Sequence, residues 1–185
     1  MASILKVNTI QDATNSNTAM TVSTGGVTSF PNNPCFNVSK NADQTVPDAT
    51  ATKITFENIT DGGNSGRNIN KGGLYANSRF TVTATTTGIY HFWTNLLFIG
   101  GGDVDDMYIQ WKKNNVVQSL NYHNTGYADN ASNGVINAMA MMNLDTAGDY
   151  MELWLYANLG SGTTVLNYGD NTTNSRCVMG GFKIA

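Results

Sequence analysis

The segment from Thr87 to Gly100 constrains the fold of this chain more than any other. In a β-strand its side chains alternate between two faces. The two faces carry, respectively, Tyr90, Phe92, Thr94, Leu96 and Phe98, and His91, Trp93, Asn95, Leu97 and Ile99. Both faces are largely apolar, whereas a strand with one solvated face alternates between apolar and polar residues. Because the chain offers no clear helix as cover, we expect one face to pack in the subunit core and the other to meet a second copy of the chain.

Composition and charge argue against several classes of function. Charged residues make up 12% of the chain, and the net charge is −3 with a pI near 5.1. The basic residues are scattered, which argues against binding to nucleic acid. No apolar run reaches the roughly 18 residues of a membrane span. The first residues lack the basic and apolar regions of a secretory signal, so we expect folding in a reducing cytosol.

Residues 1–33 differ from the rest of the chain. They contain short β-like pieces separated by polar, turn-rich stretches, and they end at the boundary signal Pro31-Asn32-Asn33-Pro34. The segment is too short to form its own core, so we predict an extended N-terminal arm that pairs with a partner or with sister arms; a frayed terminus is the alternative. The apolar residues that would anchor this arm are Leu5, Val7, Ile10, Met20 and Val22.

From Pro34 onward, short strand signals recur with turn signals between them, which predicts a sandwich or barrel. No segment sustains a 3.6-residue period, so we predict an all-β fold. Asn114-Asn115 is predicted to form a two-residue hairpin turn, because Asn tolerates positive φ. The ten predicted strands are Cys35–Lys40, Thr52–Asn58, Phe80–Ala84, 87–100, Met107–Lys113, Val116–Tyr122, Val135–Leu144, Tyr150–Leu159, Thr163–Tyr168 and Val178–Ile184.

Three of these strands carry apolar residues on both faces: 87–100, 151–157 and 178–184. A strand of this kind needs cover on both sides. The pattern predicts that the three strands share one sheet and that this sheet is the subunit interface.

Several short motifs lie along 34–185 in a fixed order. They are Gly73-Leu74-Tyr75, Phe80-Thr81-Val82, Gly88-Ile89-Tyr90-His91-Phe92, Lys113-Asn114-Asn115, Leu144-Asp145-Thr146-Ala147-Gly148-Asp149-Tyr150-Met151 and Gly180-Gly181-Phe182-Lys183-Ile184. Together they resemble the jelly-roll domain of the complement C-one-q head and of tumour necrosis factor. One departure is Asn115, where that family usually has Gly.

The resemblance implies a ten-stranded antiparallel jelly-roll sandwich at 34–185 that forms a homotrimer about a threefold axis. It also implies a protein that binds partners through exposed loops and is not an enzyme. Because the first and last strands of such a fold pair antiparallel, Cys35 and Cys177 would sit at opposite ends of the pairing, and we expect free thiols. The residues predicted to form the trimer interface are Tyr90, His91, Phe92, Trp93, Leu97, Trp154, Tyr156 and Met179.

A looser resemblance concerns the opening Met1-Ala2-Ser3-Ile4-Leu5-Lys6-Val7-Asn8-Thr9-Ile10. It is similar to the N-termini of structural proteins of tailed phages from marine bacteria, in which a short anchor precedes a trimeric fibre or decoration head. This resemblance implies a virion component, either a tail fibre or a capsid decoration, made in the bacterial host cytoplasm. Its partners would be other virion proteins and a glycan or protein of the host surface.

Residues able to support enzyme chemistry are sparse. The chain has two histidines and two glutamates, with no nucleophile elbow, phosphate loop or Cys/His metal spacing. The acidic stretch 103–106 is the sharpest local signal, and Asp103, Asp105 and Asp106 could ligate Ca²⁺, with a solvated corner as the alternative. We expect no other cofactor and no catalytic residue.

The stretch 122–130 mixes aromatic rings with amides and an acid. Sugar-binding surfaces use this combination, with a ring beneath the hexose and amides on its hydroxyl groups. The residues concerned are Tyr122, His123 and Tyr127, and a loop that packs on its neighbour would look the same. A soluble lectin-like module, dependent on sugar or calcium, is therefore the alternative to a virion protein.

Overall fold

The computed structural model describes residues 7–11, 18–30, 32–60, 67–100, 104–123, 134–159, 164–166 and 177–185. The chain divides into two compact units, Met1–Asn33 and Pro34–Ala185. The boundary follows Asn33, within the Pro-Asn-Asn-Pro sequence.

The first unit is a small antiparallel sheet. Its strands are β1 (Thr9–Gln11), β2 (Thr18–Val22) and β3 (Thr28–Ser29), with β2 in the centre. The segment predicted to be an extended arm thus pairs with itself, because the chain reverses between β1 and β2 and between β2 and β3; its pairing with a partner or with sister arms stays a prediction. None of the described side chains in this unit is buried, which agrees with the expectation that the segment forms no core of its own.

The second unit contains two antiparallel sheets. The first sheet comprises β4 (Cys35–Ser39), β5 (Gln44–Val46), β7 (Ile69–Asn70), β10 (Gly88–Gly100), β13 (Gly134–Leu144), β15 (Thr164–Leu166) and β16 (Val178–Lys183). The second sheet comprises β6 (Thr52–Lys53), β8 (Tyr75–Ala76), β9 (Arg79–Thr81), β11 (Val104–Lys113), β12 (Val116–His123) and β14 (Tyr150–Leu159). A single 3₁₀ turn, Lys71–Gly73, precedes β8.

Each of the ten predicted strands overlaps an observed strand of the second unit, so the all-β prediction is confirmed. The overlap is short for Thr52–Asn58 and Phe80–Ala84, where the observed strands are Thr52–Lys53 and Arg79–Thr81. Three further short strands, β5, β7 and β8, carried too few residues to show alternation. The hairpin between β11 and β12 is also confirmed, since Asn114 and Asn115 adopt φ of 51° and 67°. Residues 104–106, expected to form an acidic loop, are instead the first residues of β11.

The two sheets enclose one apolar core. β10 contributes Tyr90, Phe92, Leu96 and Phe98, all buried. The aromatic rings form a connected cluster, in which Phe36 and Phe80 stack with centroids 4.9 Å apart and Phe80 meets Tyr90 edge-on at 5.0 Å. Such ring pairs contribute about 0.5–1.5 kcal/mol beyond their area of burial.

The prediction that the three two-faced strands share a sheet is wrong in part. β10 and β16 are neighbours in the first sheet, but β14 lies in the second sheet between β11 and β9. The alternation of residues along a strand shows which of its faces are apolar, but it does not show which sheet the strand joins.

Candidate functional site: an apolar sheet face

The outer face of the first sheet exposes a continuous set of apolar side chains. Strand β10 is flanked by β13 on one side and by β16 on the other, so residues from three strands lie side by side. The exposed members, which we call the apolar face, are Ile89, Val135, Met139, Met141, Phe182 and Ile184. Large exposed apolar patches on folded proteins mark contact sites for a partner.

The register of the strands explains how this face is built. His91 pairs with Met141 on one side and with Phe182 on the other, and the His91 and Phe182 rings lie 5.4 Å apart. Trp93 pairs with Gly180, where a Cβ atom would lie 2.6 Å from the indole ring. Gly180 therefore leaves the space that lets Trp93 lie flat against β16.

A polar spot interrupts the apolar face. Asn95 and Asn137 are cross-strand partners, and with His91, Trp93 and Met139 they line an open depression in the sheet surface. The Nδ1 atom of His91 is buried, and no hydrogen-bond partner is present among the described residues. A buried polar nitrogen without a partner is costly.

Three residues predicted to form the trimer interface instead lie in the core. Tyr90, Phe92 and Met179 are at most 1% exposed and point between the two sheets, so that prediction is wrong for them. Burial raises the pKa of Tyr90 to about 12. His91, Trp93 and Leu97 lie on the outer face, half-buried beside the apolar face.

Sequence reasoning missed the methionines at positions 139 and 141. The signal was present, because Val135, Met139 and Met141 share one face of β13, while the alternate residues Ile136, Ala138 and Ala140 share the other. In the structure Ile136, Ala138 and Ala140 are buried, and Val135, Met139 and Met141 are exposed.

Trp154 and Tyr156, also predicted at the interface, lie on the outer face of the second sheet. Side chains of the same chain cover them in part and leave them half-buried, so their place at the trimer interface stays a prediction. The Lys112 Nζ atom lies 3.7 Å above the Trp154 ring centroid, and the Tyr156 ring stacks on Tyr108 at 4.7 Å. Tyr122 extends the row, with its ring 5.0 Å from Tyr108.

A buried carboxylate organises the same outer face. One oxygen of Glu152 accepts hydrogen bonds from Lys53 Nζ at 2.8 Å and from Arg79 at 2.8 and 2.9 Å. Burial raises the pKa of Glu152, but these hydrogen bonds outweigh it and leave the pKa below its usual value. The arrangement pairs one buried carboxylate with two cationic side chains.

A second ion pair joins two of the motifs that carry the family resemblance. Asp149 accepts from Lys113 Nζ at 2.8 Å, from the Asn114 side chain at 2.7 Å and from the Thr146 N–H at 3.1 Å. The hydrogen bond from Lys113 is the largest cause that lowers the pKa of Asp149. This corner fixes the β13–β14 turn against the β11–β12 hairpin.

Several predicted site residues lie outside the described part of the chain. These are Leu5, Asp103, Tyr127 and the side chains of Asp105 and His123, so the calcium site and the 122–130 loop stay predictions. Asp106 is partly buried at the start of β11. The described residues contain no group of three or more metal-ligating side chains.

Cys35 and Cys177 are not joined by a disulfide, as predicted, and the Cys177 thiol donates to Leu97 O at 3.3 Å. Strands β4 and β16 pair antiparallel with Cys35 opposite Phe182, at the far end from Cys177. Burial raises the pKa of the Cys177 thiol to about 11. Among the described residues, no helix has the length and apolar content to cross a membrane.

The chain is similar to known proteins in its structure but not in its sequence. No protein-family model matches the chain, and no curated protein matches its sequence. The crystal structure of murine APRIL at pH 8.0 matches with a TM-score of 0.51 at 11% identity, over 82% of this chain and 99% of that chain. The murine APRIL structure at pH 5.0 matches with a TM-score of 0.52 at 12% identity over the same shares. This likeness agrees with the sequence motifs, and the chain adopts a tumour necrosis factor-like jelly-roll fold.

Proposed function

We propose that this chain is a structural component of a phage virion, a homotrimeric tail fibre or capsid decoration without enzymatic activity. The apolar face on β10, β13 and β16 is the observation that carries the proposal. Five of its six large apolar side chains lie on regular, well-paired strands, and Ile184 follows directly after β16, so the face is rigid and ready to pack. A second copy of the chain is the occupant that the jelly-roll resemblance implies.

The chemistry of the apolar face favours permanent over transient assembly. Its exposed members are aliphatic, methionine or phenylalanine, whereas rims and transient interfaces are more polar. No described Lys, Arg, Asp or Glu stands on the outward positions of β10 or β13. Three jelly rolls arranged about an axis would remove this surface from water.

The first unit supports the anchoring part of the proposal. Val7, Ile10, Val27 and Phe30 are exposed on a sheet with no core of its own. Such a sheet is marginal by itself and gains stability when a partner covers it. In a virion this partner would be a capsid or tail protein.

The experiment separates anchoring from trimer formation. Ile10→Asp with Phe30→Asp, made in the full chain of a propagating phage, should leave the trimer intact and remove the protein from purified particles. Thr24→Asp, an exposed position of the same unit, is the matched control and should be incorporated. Mass spectrometry of the particles gives the copy number of each variant. Normal incorporation of the double variant contradicts anchoring through this unit.

A lectin-like binding module remains the second candidate, favoured by the row of Tyr122, Tyr108 and Tyr156 on the second sheet. This row lies on the sheet opposite the apolar face, so trimer formation would leave it accessible. Under this alternative, Tyr122→Ala abolishes binding on a glycan array, and the Ile10 and Phe30 substitutions change nothing. Absence of the chain from purified particles would favour the module over the virion protein.

A further inference from the structure

A buried lysine just after β4 faces a side-chain amide. The side chain of Lys40 is 0% exposed, and its Nζ donates to Gln44 Oε1 at 3.0 Å, to Thr55 O at 2.7 Å and to Thr55 Oγ1 at 3.2 Å. The carboxylate of Glu57 lies 3.5 Å from the same nitrogen. Lys53 and Lys113, in contrast, direct Nζ at carboxylates and backbone carbonyls.

The carboxamide of Gln44 is held at both ends. Its Oε1 accepts from the Thr55 N–H at 3.0 Å as well as from Lys40 Nζ, and the Thr55 N–H is the donor that stays on the oxygen when Nζ moves to the carbon. Its Nε2 donates to Lys53 O at 2.7 Å. Fixed donors at the oxygen of a carbonyl stabilise the negative charge that develops when a nucleophile attacks it.

A proton relay connects the amine to a base. Nζ of Lys40 donates to Thr55 Oγ1, and that hydroxyl lies 2.6 Å from Glu57 Oε1, to which it donates. Burial is the largest cause that lowers the pKa of Lys40, so loss of a proton costs less here than in water. Oε2 of Glu57 accepts from the Asn41 N–H at 3.1 Å, which fixes the carboxylate in place.

We propose that Lys40 and Gln44 join in an intramolecular isopeptide bond, with Glu57 as the base and the Thr55 N–H as the oxyanion donor. The carbonyl carbon is bonded to Oε1 at about 1.2 Å, so Nζ lies at most about 4.2 Å from it. Attack requires a separation of about 3–3.5 Å. A side-chain adjustment of about 1 Å therefore brings the two atoms together.

The reaction balances without a co-reactant. The Lys40 ammonium passes one proton through Thr55 Oγ1 to Glu57, and the neutral amine attacks Cδ of Gln44. The carbonyl electron pair moves to Oε1. The intermediate then transfers a proton from Nζ to Nε2, the Cδ–Nε2 bond breaks, and ammonia leaves. The proton held by Glu57 is released to the ammonia as ammonium, so the products are a secondary amide and one ammonium ion.

The bond would replace a buried cation with a neutral amide. A buried charge carries a desolvation cost that the amide does not. The bond would also tie the end of β4 to Gln44, the first residue of β5, in a part of the first sheet away from the apolar face. The inference concerns the chemistry of one subunit and is independent of the proposed virion role.

Peptide mapping of the full-length protein tests the proposal. After incubation at neutral pH, the denatured protein is digested with trypsin and analysed by tandem mass spectrometry. We expect no cleavage at Lys40, and a peptide spanning Lys40 and Gln44 that is lighter than its sequence mass by one ammonia. Fragmentation must place the loss between these two residues, because succinimide formation at an asparagine of the same peptide would give the same mass change.

Two substitutions complete the test. Glu57→Gln changes a partly exposed residue, so its circular dichroism spectrum should match that of the parent protein. Because this variant lacks the base, trypsin should cleave it at Lys40, and its peptides should have their full sequence masses. Lys53→Arg is the matched control, because it removes a neighbouring lysine outside the relay and should keep the ammonia loss. Cleavage at Lys40 with full mass in the parent protein overturns the proposal, and so does ammonia loss that persists in Glu57→Gln.

Discussion

Replacing Met139 and Met141 together by lysine should convert the proposed trimer into a folded monomer. The two side chains are 64% and 70% exposed on the subunit and occupy the outward positions of β13 beside Trp93 and His91. Because they take no part in the core, the substitutions remove little from the stability of the subunit itself. Exposed substitutions of this kind usually change the free energy of unfolding by no more than about 0.5 kcal/mol.

The two substitutions should weaken the free energy of association much more than they change the free energy of unfolding. Burying a methionine side chain completely is worth about 1.5–3 kcal/mol, so the exposed two-thirds of each contributes about 1–2 kcal/mol when a partner covers it. The pair thus contributes about 2–4 kcal/mol per subunit, roughly 30- to 700-fold in association. Each lysine adds several kcal/mol for desolvation of its ammonium group if it is buried at the interface.

Light scattering after size exclusion, with sedimentation velocity at micromolar concentration, measures the result. The parent protein should be a trimer, and the double variant should be a monomer with an unchanged thermal unfolding profile. Tyr122→Lys is the matched control, because Tyr122 is 65% exposed on the other sheet and should leave the trimer intact. A stable parent monomer refutes the reasoning, as does a double variant that still forms trimers.

Three further predictions concern the subunit. Asp149→Asn should cost about 1.5–3 kcal/mol, because the hydrogen bonds that its carboxylate accepts lose their charge assistance; urea unfolding at pH 7 measures the loss. Because the folded-state pKa of Asp149 is lowered, this contribution is present above the unfolded pKa of about 3.9 and is lost as pH falls toward the folded value. The free energies of unfolding of the parent and of Asp149→Asn should therefore differ least in strong acid. A difference that is the same at all pH values contradicts the ion pair. Gly181→Ala should cost about 1–3 kcal/mol, since a Cβ there would lie 2.6 Å from Phe92; a normal melting temperature would contradict this packing. Cys177 is buried with a pKa raised to about 11, so it should react with a thiol reagent at pH 8 only after denaturation. Fast labelling of Cys177 in the native protein would contradict its position.

The motifs that carry the family resemblance turn out to contact one another. Residues 88–92 of β10 pair with the motif that begins at Gly180, so Tyr90 lies opposite Lys183 and Phe92 opposite Gly181. In the same way, the 113–115 hairpin binds Asp149 in the turn after β13. Such residues specify strand register and turns, which explains why they predict the fold and say little about a ligand.

The position of β14 in the fold was not predicted correctly from the sequence. Its two apolar faces suggested that it shares a sheet with β10 and β16, yet β14 lies in the other sheet, where Lys112 lies over the Trp154 ring and Tyr108 stacks on Tyr156. Glu152, the polar residue of that outer face, is buried by Lys53 and Arg79. Long cationic side chains can shield aromatic rings from water, and no local pattern in the sequence reveals which lysine reaches which ring.

The amino-acid sequence by itself determined the all-β class, the strand positions, the boundary near Asn33 and the Asn114-Asn115 turn, because alternation and turn chemistry are local properties of the chain. The tertiary structure decided which side of β10 faces inward. Both sides are apolar, and the choice depends on long-range pairing with β13 and β16. The same pairing placed Met139, Met141 and Phe182 on one exposed face. A separate contact, the bridge between Ser39 and Asn58, brings Lys40 to Glu57. These juxtapositions depend on how the strands pair and how loops return to the sheets, which no single segment encodes.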